Sequence, residues 1–391
     1  MALRPEAGVT QFVRMLRRIG WVVLLTGLTI SAMLTAHTAR AIEPYVVSGV
    51  AVEAKDADAQ AARQAALAAA KILAYQRLLD RLVLPEDLVG APVLTAAQIE
   101  PLIASFEVES ETPKAKSYQA SYRFRFNPDA VRSFFAGHGL RFTESVGRPL
   151  VVLPVFGEGE GATLWDDPNP WRAAWANHWD DDGLVPLVVP LGELEDLALV
   201  DAAQALAGDE RALADLAARH GAGGVLVLQA AIGAEEKTKL WRISVKSQGY
   251  GPSAIGNVGF GLSAEPQEAE QQFWQRAAQT AAALVQREWK RLNAVSYGTE
   301  SSLRAAVLIA ALQDWLLARQ VLDASPFVIA VRVLSLSQSK VDIVIEHRGT
   351  VEQLQRGLAQ SDLFLQLGVD GWELRIGAGA TRLDPKPLGT Q

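Results

Sequence analysis

Cysteine is absent from all 391 residues. That excludes disulfides, thiol nucleophiles, Cys-ligated metal sites and a lipidated N-terminal cysteine, so an exported chain of this kind relies on its cores. Histidine is scarce as well. Beyond residue 41 there are only His138, His178, His220 and His347, and none falls in H-E-x-x-H or another metal-ligand spacing. G-x-S-x-G does not occur. A Ser/His/Asp triad can still assemble in space, but no spacing favours one. Basic charge is in deficit too. The formal charge is −7, and the first 41 residues carry Arg4, Arg14, Arg17, Arg18 and Arg40 against Glu6, which leaves the remainder at −11. So acidic a body argues against nucleic acid, whose phosphates need Lys and Arg to displace their counterions.

Apolar residues are plentiful, 49% hydrophobic against 21% charged, in a chain long enough for two or three domains. The first 41 residues stand apart. A basic stretch, Gln11 to Arg18, precedes an apolar run from Ile19 to Leu34, and Thr38-Ala-Arg-Ala41 places small residues where a signal peptidase reads them. This order predicts a secretory signal peptide cleaved after Ala41. The rival reading is a retained anchor, although the run is short against the roughly 17–25 residues of a spanning helix. No later run reaches that length, so the expectation is a soluble protein in the periplasm of a Gram-negative cell, touching the membrane only through an uncleaved signal.

The rest reads as α/β and α+β, in three small modules, the central one a mixed sheet with helices on its faces. The first module spans 43–146. Tyr45 to Val52 reads as a strand, and Asp56 or Asp58 caps an alanine-rich helix to about Leu84. Phe106–Glu111 and Tyr118–Phe126 form a hairpin. Tyr118, Ala120, Tyr122, Phe124 and Phe126 share one face of the second strand. Glu107, Glu109 and Glu111 are set to oppose Arg123 and Arg125. Asn127-Pro128 then opens a helix.

The central domain spans 148–293. Leu150–Phe156, Leu184–Leu191 and Gly224–Ile232 are nearly all apolar, the pattern of strands covered on both faces of a parallel sheet. Asn169-Pro170 opens a helix between the first two, and helices near Glu193–Leu206 and Asp209–His220 precede the third. Leu240–Lys246 and Val258–Ser263 make a hairpin, and a helix from Pro266 to Leu292 closes the domain. The third module spans 301–382: a helix Ser302–Gln320, strands Phe327–Leu334 and Val341–Glu346, a short helix opened by the capping box at Thr350–Gln353, and strands Leu363–Leu367 and Trp372–Ile376. Residues 383–391 read as a flexible tail.

This order resembles one family. The signal sequence, the Tyr45–Val50 strand with its alanine-rich helix, Leu150–Pro154, Leu164-Trp165 followed by Asn169-Pro-Trp-Arg-Ala-Ala-Trp175, and the Gly221-Ala222 turn are similar to the exported proteobacterial family called domain of unknown function 2066. The resemblance covers most of Tyr45 to Trp289, rests mainly on the Trp-rich segment, and carries no catalytic residues over. The small modules are also similar to periplasmic parts of envelope assemblies: the curli export pore, flagellar ring accessories and the N-terminal domain of the Tol propeller protein. Likeness at that level transfers no function.

Three stretches are candidate sites. Gly157-Glu-Gly-Glu-Gly-Ala162 spells G-x-G-x-x-A, but dinucleotide binding needs a helix to start there, and Glu158 and Glu160 repel phosphate, so no cofactor is expected. Asp166, Asp167, Asp180, Asp181 and Asp182 could bind Ca²⁺; the EF-hand spacing fails because Val189 falls where the Glu ligand belongs, which favours solvated carboxylates and no metal. Trp165 precedes Trp171, Trp175 and Trp179, which recur every four residues. They either pack on the sheet or form an aromatic groove for an envelope protein or a glycan. The leading expectation is therefore a non-catalytic periplasmic protein that binds an envelope partner. The alternative is a small-ligand-binding protein or hydrolase with its site at the carboxyl ends of the central strands, near Phe156 and Leu191.

Overall fold

The computed structural model describes residues 42–176, 183–234, 240–251, 255–295 and 300–377. The fold is mixed α/β and α+β, built on three sheets with helices packed against them. In the first module β1 (Val46–Lys55) leads to α1 (Ala59–Leu82), whose Asp58 cap accepts the Ala61 N–H at 2.9 Å. Ala62, Ala66, Ala70 and Ala74 recur every four residues and are all buried, so this side chain-poor stripe lets α1 lie close to the sheet. Two short helices, α2 (Pro85–Leu88) and α3 (Ala96–Ile99), precede β2 (Ile103–Pro113), β3 (Ser117–Phe126) and α4 (Pro128–Gly137). Asn127 caps α4 through Asp129 N and Ala130 N, as its Asn-Pro start predicts.

The strands run antiparallel in the order β1-β3-β2, and the alternating aromatic face of β3 is buried. A bulge between Val108 and Ser110 shifts the expected charge pairing. Glu109 meets Arg123 at 3.3 Å, whereas Arg125 pairs with Glu43, and Glu111 accepts from Tyr118. A second bulge in β1 puts Gly49 at φ 62, and Arg77 donates to the Ser48 and Gly49 carbonyls there.

In the central domain come β4 (Leu150–Phe156), α5 (Pro170–Ala176), β5 (Leu187–Val188), α6 (Leu194–Leu199), α7 (Ala202–Ala207), α8 (Glu210–Arg219), β6 (Gly224–Ala234), β7 (Trp241–Tyr250), β8 (Gly259–Ser263) and α9 (Glu270–Asn293). The sheet order is β5-β4-β6-β7-β8; the first three strands are parallel and the last two antiparallel. β4 is buried on both faces. One face meets α5 and α9 through Trp171, Phe273 and Trp274, and the other meets α8 through Leu213 and Leu216. Two expectations are corrected. The strand foreseen over Leu184–Leu191 pairs only at Leu187 and Val188, because Pro186 and Pro190 lack the N–H a ladder needs. The helix foreseen over Glu193–Leu206 is two helices, broken at extended Val200, after which Asp201 caps the second.

The third module holds β9 (Glu300–Leu308), α10 (Leu312–Ala324), β10 (Val328–Leu336), β11 (Lys340–Arg348), α11 (Val351–Ala359), β12 (Leu363–Gly368) and β13 (Gly371–Ile376), in sheet order β10-β11-β9-β13-β12. Ser302–Leu308 was expected to be helical and is strand β9. Its Ala and Leu content favours helix, but Ala305 and Val307 alternate into the core between β11 and β13, and that pairing overrides propensity. The capping box at Thr350 and Gln353 is present.

The modules are joined through the end of α9. Lys290 is buried, and its Nζ donates to the Asp80 carbonyl at 2.5 Å and the Val83 carbonyl at 2.9 Å, at the C-terminal end of α1. Phe142 bridges Val83 on one side and Val295 on the other, and Trp289 Nε1 donates to Ser145 O at 2.8 Å. From the third module, Gln353 Nε2 donates to Ala294 O and Arg356 Nη2 to Leu292 O. The first module and one face of the central sheet therefore share one continuous apolar core.

Burial pushes the Lys290 pKa below the usual lysine value, against the opposing pull of Asp80 and Glu86. Lys290→Met strands two helix-end carbonyls and is expected to cost about 1–3 kcal/mol near neutral pH. The unfolded chain holds its lysine proton to about pH 10.4, so wild-type stability rises relative to the variant as pH climbs from the lowered native pKa towards that value. Urea unfolding of both proteins near neutrality and near pH 9.5 measures the loss and its widening.

Candidate functional site

The four tryptophans separate on folding. Trp171 and Trp175 are buried, edge to face, with ring centres 5.7 Å apart. Trp171 Nε1 donates to Leu228 O at 3.0 Å, and its ring lies 6.1 Å from Trp274 of α9. Asn169 fixes the helix that carries them: its Oδ1 accepts from Arg172 N, and its buried Nδ2 reaches the carbonyls of Pro154, Thr163 and Leu164. The aromatic groove expected along this helix is thereby corrected at Trp171 and Trp175, which fill the space between β4, β6 and α9 and have no free face. Trp165 is half-buried, donates to Val200 O at 2.7 Å, and lies under Gly192, where a Cβ would come within 3.1 Å of the ring. Trp179 lies outside the described residues, as do His178 and Asp180 to Asp182.

The Gly157–Ala162 loop closes on itself. Phe156 and Thr163 exchange both backbone hydrogen bonds, and Gly157 N donates to Ala230 O. It holds a single 3-10 turn, Gly159–Gly161, and the next α-helix starts only at Pro170. The nearby Asp167 pairs with Arg172 at 3.0 Å. Among the described residues no three His, Asp or Glu side chains converge to hold a metal ion.

A His–carboxylate pair lies between α6 and the end of α8. Asp196 is fully buried. Its Oδ1 accepts from Arg219 Nε at 2.9 Å and lies 2.8 Å from His220 Nε2, while its Oδ2 accepts from Glu193 N at 3.2 Å. Arg219 also reaches Glu193 at 2.7 Å. Burial raises the Asp196 pKa, but hydrogen bonds from His220 and Arg219 outweigh it and hold the carboxyl below the usual carboxylate range. Sequence reasoning placed His220 at a helix end and missed Asp196. The signal was present, a Glu193-x-Glu195-Asp196 start facing an Arg219-His220 end.

This cluster lines an open cleft of 420 Å³ together with Val189, Pro190 and Leu191. Among the described residues no serine, threonine or lysine lines it. His220 also stands just before β6 begins, at the amino end of that strand, whereas a site at the carboxyl ends was foreseen. The arrangement pins α6 to α8.

Exposed apolar side chains gather in the third module. Leu312 and Leu316 on α10 are 61% and 59% exposed, and Val333, Leu334 and Leu336 on β10 are 45%, 48% and 60% exposed. β10 is an outer strand of its sheet, and β9 and β10 both run antiparallel to β11, so α10 returns antiparallel along β10. Arg319 Nη1 donates to Val331 O at 3.1 Å and ties helix to strand. One and two turns before Arg319, Leu316 and Leu312 come level with the second half of β10. The register sets Val333 and Leu336 opposite Ile343 and Val341, on the core side of the sheet, with Leu334 at the bulge between them. No protein-family model and no curated protein matches the chain, so the resemblance to an exported family rests on its motifs alone.

Two substitutions test these roles. Trp171→Ala is expected to cost about 3–5 kcal/mol in urea unfolding, as for an aromatic removed from a packed core. Asp196→Asn is expected to cost about 1–3 kcal/mol near neutral pH. Because the native Asp196 pKa is lowered, its contribution is present above about pH 3.9 and is lost as pH falls through the native value. Melting curves of wild type and Asp196→Asn should therefore converge in acid.

Proposed function

We propose that this is a non-catalytic exported protein that binds a protein of the bacterial envelope through the border of α10 and β10. The observation that carries the reading is the exposure of Leu312, Leu316, Val333, Leu334 and Leu336. Isolated apolar side chains on a surface are ordinary, but a group gathered on an outer strand and its neighbouring helix is the mark of a contact site. Bulges flanking Leu334 and near Val328 break the backbone ladder of β10. The border therefore offers side chains more than a template for an added strand. Residues 1–41, with their basic, apolar and small-residue order, support export to the periplasm.

The test is site-specific photo-crosslinking in intact cells, with the probe at Leu316 or Leu336 and, as control, at Glu53 on the far module. A discrete adduct from the two leucine positions and none from Glu53 is expected, lost when Leu312 and Leu334 are changed to Glu. The same double variant should melt within a few degrees of wild type, because exposed substitutions change stability by only about 0.5 kcal/mol. Adducts that survive the double variant, or no adduct at either leucine, would reject the surface.

A further inference from the structure

The central sheet is covered unevenly. α8 lies over β4 and the first half of β6 through Leu213 and Leu216, which pack with Val151, Val225 and Val227. Beyond Tyr250, which packs against that core, the same face of β7 is left exposed. On β7 the residues alternate strictly: Ile243, Val245 and Ser247 are buried, and Arg242, Ser244, Lys246 and Gln248 are exposed. Lys246 stands between Gln229 of β6 and Gly259 of β8, and Ser244 stands beside Gly261. Glycine at 259 leaves the floor next to Lys246 without a side chain, while the Arg242 guanidinium lies over Gly261.

A groove of 370 Å³ results, lined by Leu206, Gln229, Lys246, Gln248, Asn257 and Gly259 among others, and among the described residues no carboxylate lines it. Its size falls in the roughly 300–1,000 Å³ range of small-ligand sites. Gln248 Oε1 accepts from Tyr250, which leaves the amide NH₂ as a donor. Gln229 Nε2 donates to Gly157 O at 2.9 Å, which fixes that wall. In a chain whose body carries −11, a groove lined by an ammonium and three amides, without an acid among the described residues, is charged against the average of its surface.

We propose that this groove binds a small acidic sugar, its carboxylate or phosphate seated on Lys246 and its hydroxyls on the amides of Gln229, Gln248 and Asn257. The ammonium supplies charge, the amides both donate and accept as sugar hydroxyls require, and the bare glycine floor admits a ring flat against the sheet. This site is separate from the α10–β10 border, and its fate does not depend on that surface.

Isothermal titration calorimetry of the full chain as exported tests it, with galacturonate, glucose 6-phosphate and neutral galactose as probes. Saturable binding of at least one acidic probe in the sub-millimolar range, weakening as salt is raised, is the expected result; which acid binds identifies carboxylate or phosphate as the seat. Lys246→Gln should weaken it about tenfold or more, the loss of one charge-assisted contact. Gly259→Val fills the floor beside Lys246 without altering charge and should abolish it; a Cβ there has only ordinary contact with Val245 O at 3.4 Å, so the strand itself is not disturbed. Melting temperatures of both variants check that they fold, and either one alone suffices. No binding of the acidic probes at about 10 mM, equal binding of galactose, or full affinity in a folded variant would overturn the proposal.

Discussion

A buried ammonium decides how the modules fit together. Burying a charge costs several kcal/mol unless its surroundings replace water. Lys290 finds its replacement in the carbonyls of Asp80 and Val83, the groups that the end of α1 leaves without partners. Those carbonyls are also the negative end of the α1 dipole, so one contact satisfies the helix and the charge together. α9 repeats the device one step on. Its own last carbonyls, at Leu292 and Ala294, are met by Arg356 and Gln353 from the third module. Helix ends that could have been capped locally are capped by a neighbour. The modules cannot separate without exposing unpaired polar groups and opening the apolar core that spans the first two. With the joints committed in this way, free surface is left at the outer strands and on the bare half of the central sheet.

The tryptophans follow from the same geometry. A helix that crosses two strands and a second long helix must fill a wide gap, and indoles at four-residue spacing do so with few side chains. Trp171 and Trp274 meet there with Phe156 beside them. The sequence pattern alone admitted both a core and a groove, because helical spacing reports that side chains share a side and says nothing of what that side faces. The deciding residue is Trp274, more than a hundred positions further on, and no local rule connects it to Trp171.

Local signals were legible where local physics decides. Asp58, Asn127-Pro128, Asn169-Pro170 and Thr350–Gln353 start helices where capping chemistry places them. The alternation of β3 and of Val341, Ile343 and Ile345 marks the inner faces. The failures lie where distant partners decide. Ser302–Leu308 has helix-forming residues, yet lies between two strands that it meets only after the chain has returned twice. Leu184–Leu191 is apolar enough for a strand, but its prolines limit the ladder. Of the sites, the charge pairing of Asp196 with Arg219 and His220 was written in two short segments and needed only their juxtaposition. The groove on β7 needed the strand order, since Lys246, Gln229 and Gly259 become neighbours only when the sheet forms.

The outer strands of this chain are not treated alike, and the contrast bears on function. β2 turns Phe106 and Val108 towards the aromatic side of β3, with Phe106 5.7 Å from Phe124, and alternates them with Glu107 and Glu109. Charges and a bulge of this kind are how natural sheets keep an edge from pairing. β10 carries bulges too, but past Arg332 its exposed residues are Val333, Leu334, Ser335 and Leu336, three of the four apolar, and Leu312 and Leu316 on α10 are exposed as well. Protection of the backbone has been kept while protection of the side chains has been given up. A strand guarded only against added strands would gain from charge at those positions. Their exposed apolar character is what motivates the proposed contact surface.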